Sequence, residues 1–60
     1  MDFTIYLNKK VHIILLNGFT YIGSVISSDN NSITIRDKNN SIVQLKESSI
    51  DLIKEVSSNG

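Results

Sequence analysis

Val11-His12-Ile13-Ile14-Leu15-Leu16-Asn17-Gly18-Phe19-Thr20-Tyr21-Ile22-Gly23-Ser24-Val25-Ile26-Ser27-Ser28-Asp29 is the stretch that decides the fold. It reads as two β-strands, over residues 11–16 and about 19–28, joined by Asn17-Gly18. Asn-Gly is a strong hairpin signal, because both central residues of a two-residue type I′ turn need positive φ. In the first strand Val11, Ile13 and Leu15 share one face, and His12, Ile14 and Leu16 share the other. In the second strand Tyr21 and Val25 face the core, and Gly23 falls between them. A glycine within a strand marks a bend or a close backbone approach, as at a barrel corner.

Working outward, residues 29–31 (Asp-Asn-Asn) form a turn. Residues 32–36 follow as a strand, with Ile33 and Ile35 inward and Thr34 and Arg36 outward. Asp37-Lys38-Asn39-Asn40 is a second turn. Residues 41–46 form the fourth strand, with Val43 and Leu45 inward. Glu47-Ser48-Ser49 reads as a short break with the length of one 3₁₀ turn. The fifth strand covers residues 50–56, where Ile50, Leu52, Ile53 and Val56 do not alternate cleanly. Residues 2–8 have two readings: a short helix or turn capped by Asp2, or an extended arm in which Phe3, Ile5 and Leu7 alternate. The short helix or turn is the expectation. The tail, residues 57–60, is expected to fray.

Short strands and tight turns in so small a chain predict an all-β fold. The expected form is a small, five-stranded, strongly bent antiparallel barrel, with a short N-terminal helix as its one addition. The 60 residues make a single domain, 1–60, with its core at about 7–56. A domain this size buries only about 60% of its unfolded surface, so disulfides, a metal or association are its usual supports. There is no Cys, which excludes disulfides, and with His12 as the sole His no structural zinc site is expected. Association remains, and two bare edge strands give it a physical motive.

Six Lys and Arg balance six Asp and Glu. A net charge of zero argues against broad binding to duplex nucleic acid, though not against a local basic site. No segment has the length and apolarity of a transmembrane helix. The acidic start, Met1-Asp2, and the Asn8-Lys9-Lys10 interruption do not resemble a signal peptide, so the expected compartment is the cytoplasm. No Ser/His/Asp set, phosphate-cradling glycine loop or spaced metal ligands are present. The chain therefore reads as a non-enzyme without cofactor or metal.

Asn17-Gly18, four residues, Gly23, five residues and Asp29 reproduce the spacing of the first motif of Sm-like (LSm/Hfq) proteins. Residues 43–53, Val-Gln-Leu-Lys-Glu-Ser-Ser-Ile-Asp-Leu-Ile, fit the second motif's frame without gaps. The chain therefore resembles a minimal, divergent Sm-like protein over roughly residues 7–56. The resemblance implies a homo-oligomeric ring of six or seven subunits that binds single-stranded RNA at its pore.

Carried over residue by residue, Lys46 takes the place of the pore-lining Arg, and Asn30, Asn31 and Ser32 take the base-contacting loop. The departures are informative. The loop is one residue shorter, so Ser32 stands where the base-contacting Asn falls unless Asn31 takes over. Lys46-Glu47 replaces Arg-Gly, the Tyr-Lys-His segment is absent, and the N-terminal helix is truncated.

Each candidate has a plainer alternative. Lys46 is either a phosphate contact or a solvated strand-end Lys paired to Glu47 or Asp51. Asn30, Asn31 and Ser32 either read exposed base edges or supply ordinary turn chemistry. Asp29 and Asp37 are expected to accept hydrogen bonds from the backbone of their own turns. Two function classes follow: an RNA-binding ring, and an oligomeric small barrel acting as a structural or protein-interaction module without RNA. A third is a monomeric SH3-like domain belonging to a larger assembly.

Overall fold

The alternation of β-branched residues builds strands, and the computed structural model, which describes residues 3–56, contains five of them. They are β1 (Lys10–Leu15), β2 (Thr20–Ser28), β3 (Ser32–Asp37), β4 (Ile42–Lys46) and β5 (Ile50–Glu55). Two 3₁₀ turns, Thr4–Tyr6 and Glu47–Ser49, precede β1 and join β4 to β5. All neighbouring strands are antiparallel, in one sheet of order β4-β3-β2-β1-β5. The sheet is bent, as expected, but it does not close into the expected barrel: β4 and β5 do not pair with each other and remain its two edges. The expected helix cap at Asp2 and the expected frayed tail at 57–60 lie outside the described residues.

The β1–β2 turn differs from the two-residue form that Asn-Gly predicts. Leu15 N–H donates to Phe19 O at 2.8 Å and Gly18 N–H to Leu15 O at 2.9 Å, so the loop is Leu16-Asn17-Gly18. Gly18 has φ 92°, whereas Asn17 is not at positive φ. This is the three-residue hairpin, in which a turn ends on a left-handed residue. Asn17 Oδ1 accepts from Phe19 N–H at 3.0 Å, and that local bond favours the wider turn. The β3–β4 hairpin repeats the pattern. Asp37 N–H donates to Ser41 O and Asn40 N–H to Asp37 O, both at 3.0 Å, and Asn40 sits at φ 65°.

Gly23 is required by close approach. It is buried and lies opposite Val11 on one side and Asp37 on the other. A Cβ there would stand 2.5 Å from the Arg36 carbonyl oxygen. Three residues on, the β2–β3 register shifts between Val25 and Ser27, which adds a bulge and sharpens the bend.

Phe3, Val11, Ile13, Leu15, Val25, Ile33, Ile35 and Leu45 form the core, and Tyr6, Tyr21, Val43, Ile50 and Ile53 pack against it. The irregular pattern of β5 has a local cause. The β1–β5 register pairs Ile14 with Leu52 and Leu15 with Ile50, so Asp51 is the extra residue of a bulge. Ile50 and Ile53 can then both face inward. Phe3 and Tyr6 join the core because the N-terminal segment runs beside β2: Asn8 N–H donates to Val25 O, and Val25 N–H to Lys9 O. This segment brings Phe3 into the core, where it is fully buried.

Candidate functional site

Asp29 builds the loop at the β2–β3 end. Its Oδ1 accepts from the backbone N–H groups of Asn31 and Ser32, both at 2.8 Å, and from Ser32 Oγ–H at 3.1 Å. The loop closes through Asp29 N–H to Ser32 O at 3.0 Å. The Asn31 N–H, followed by the Ser32 hydroxyl, holds the Asp29 carboxyl below the usual carboxylate range, against a smaller opposing effect of desolvation. Asp29 therefore stays ionised at neutral pH. Asp37 does comparable work in the next turn, accepting from Asn39 N–H at 2.8 Å and Ser41 N–H at 3.0 Å.

The loop is tied to the β4 end by two bonds. Glu47 N–H donates to Asn31 O at 2.7 Å. Gln44 Nε2–H donates to Ser32 Oγ at 3.2 Å across the β3–β4 ladder. As a result Asp29, Asn30, Asn31, Ser32, Gln44, Lys46, Glu47, Ser48 and Ile50 line one open concavity. All four sequence-predicted site residues, Asn30, Asn31, Ser32 and Lys46, border it. They differ in availability. Asn30, Asn31 and Lys46 are exposed, but Ser32 is buried and its hydroxyl is engaged by Asp29 and Gln44.

Gln44 was not singled out by the sequence reading. Its only signal was an outward position on an edge strand between Val43 and Leu45. The concavity carries one cation, Lys46, against two carboxylates, Asp29 and Glu47. Its neutral amides and hydroxyls can donate to and accept from base edges, while Lys46 is its single cation for a phosphate and the two carboxylates weaken that contact.

Among the described residues, no cluster of three or more His, Asp or Glu is placed to hold a metal, and no helix is long and apolar enough to cross a membrane. In comparisons with known proteins, no protein-family model, curated protein or solved structure matches the chain.

Proposed function

We propose that this protein is an Sm-like, ring-forming module that binds single-stranded RNA in the concavity between residues 29–32 and 46–48. The observation that carries the reading is the convergence of two separate segments, joined by the Glu47–Asn31 backbone bond, on one concavity. Asn30 and Asn31 are the base contacts, Lys46 is a phosphate contact, and Ser32 holds the loop. Subunits associate through β4 of one and β5 of the next. Both are open edges, and each carries an exposed aliphatic residue, Ile42 at 55% and Leu52 at 46% exposure. Such a head-to-tail contact closes into a ring when its rotation permits.

One observation favours a second reading, an oligomeric interaction module without RNA: the excess of carboxylates over cations at the concavity. Native mass spectrometry with and without oligo-U and oligo-A separates the two. Ring-sized oligomers that take up RNA, with base preference blurred by Asn31→Ala, support the first reading. Ring-sized oligomers that bind neither RNA at low salt support the second. A monomer at high protein concentration overturns both.

A further inference from the structure

The charge that the loop concavity lacks lies at the other end of the sheet. In β1, β2 and β3 the residues that alternate with the core point outward, and the register sets them in rows. Lys10 lies opposite Ser24, Ser24 opposite Arg36, and Arg36 opposite Ile42. His12 lies opposite Ile22 on one side and Lys54 on the other. Adjacent strands are about 4.8 Å apart, so Lys10 and Arg36 flank Ser24 with their Cα atoms about 10 Å apart.

The two rows contain no carboxylate. Lys10, Ser24, Arg36 and Lys38 border a single open groove that also takes in the amides of Asn39 and Asn40. Its one acid is Asp37, whose Oδ1 already accepts from Asn39 and Ser41 N–H groups. Three cations against one occupied carboxylate make this the basic pole of a chain with zero net charge.

We propose that this groove binds the phosphodiester backbone of single-stranded RNA, without regard to base sequence, at a site separate from the loop concavity. Lys10, Arg36 and Lys38 meet phosphates, and Ser24 donates between them. Lys and Arg set among hydroxyl and amide donors is phosphate-positioning chemistry. A duplex needs a broader basic field than three cations supply, whereas one extended strand along the row does not. The one aromatic residue bordering the groove, Tyr21, packs against the core, so the groove presents no outward Trp, Tyr or Phe of the kind that anchors a surface in the lipid headgroup region. The inference does not depend on base reading by Asn30 and Asn31.

The test is fluorescence anisotropy of the full chain with labelled oligo-A, oligo-U and mixed-sequence RNA of equal length, across a salt series. Each single-strand phosphate contact carries a salt exponent of about 0.7, or about fivefold in affinity at about 0.1 M salt. The double variant Lys10→Gln/Arg36→Gln should weaken all three RNAs by roughly 25-fold and flatten the salt slope by about 1.4. Lys38→Gln, in a turn outside the ladder, should cost about fivefold without touching the fold. Ser24→Glu should weaken binding where Ser24→Asn does not. Asn31→Ala should change base preference and leave the salt slope alone, which separates this site from the loop concavity. Unchanged affinity and slope in the double variant and Lys38→Gln overturn the proposal. So does binding to phosphatidylserine vesicles but to none of the three RNAs.

Discussion

Gly23→Ala inserts a methyl group where β2 and β3 leave no room. The new Cβ would stand 2.5 Å from Arg36 O, 3.0 Å from Arg36 C and 3.2 Å from Asp37 Cα, all backbone atoms. Rotating a side chain cannot relieve this. Ordinary contact begins at 3.4 Å, so β3 must retreat by about 0.9 Å, the difference from 2.5 Å. That stretches a ladder bond of about 2.9 Å beyond hydrogen-bond reach. The pairings at stake are Gly23 with Asp37 and Ser24 with Arg36.

Losing two such bonds at about 1 kcal/mol each costs about 2 kcal/mol, in line with the usual cost of overpacking. Alanine's lower unfolded-state entropy offsets about 0.4–1 kcal/mol of this, leaving a net loss of about 1–2 kcal/mol. A domain of this size has a total stability of about 3–9 kcal/mol, so the loss is a large share. With a urea m-value of about 1 kcal/mol/M, the unfolding midpoint should fall by about 1–2 M. The chain has no Trp, so far-UV circular dichroism is the signal to follow. A midpoint equal to or above that of the unmodified protein would refute the close-approach argument.

Phe3→Ala should lose about 3–5 kcal/mol, because Phe3 is fully buried and its removal empties the centre of the core; a change under about 1 kcal/mol in urea unfolding would mean that the segment does not dock in solution. Gly18→Ala should cost about 1 kcal/mol from positive φ alone, since no atom lies near its Cβ position. Asn40→Gly at the equivalent turn position should cost nothing, and thermal melts of the two variants check the pair. Asp29 has a folded-state pKa below its ordinary value, so its contribution to stability is fully present above about pH 4 and disappears as pH falls through the folded value. Asp29→Asn should therefore flatten the acid limb of stability measured between about pH 2 and 5, and an unchanged limb would count against the turn bonds.

Strand number, approximate boundaries and the inward faces of the first four strands were legible in the sequence. Alternation of Val11, Ile13 and Leu15, or of Ile33 and Ile35, is a local signal with a period of two. The glycine at position 23 and the turn-building roles of Asp29 and Asp37 were legible for the same reason, because their chemistry acts within a few residues. The candidate loop residues were legible as a set.

Other features depended on partners distant in the chain. Phe3 counts as core only because residues 8 and 9 bond to Val25, and a short polar-flanked segment carries no periodicity that announces this. Asn-Gly favours a two-residue turn by local propensity, but the register that joins Leu15 to Phe19 sets a three-residue turn. Ile50 and Ile53 fall on one face only through the Asp51 bulge, which is a property of the β1–β5 pairing. On sequence alone the Ser32 hydroxyl is open to a base or to its own turn, whereas cross-strand Gln44 and local Asp29 engage it in the fold. Charge distribution separates the two levels most clearly. Composition determined a net charge of zero, while the antiparallel register decided that Lys10, Arg36 and Lys38 gather at one end and Asp29 and Glu47 at the other. Sequence order sets which neighbours alternate, and only the pairing of strands sets which residues share a row.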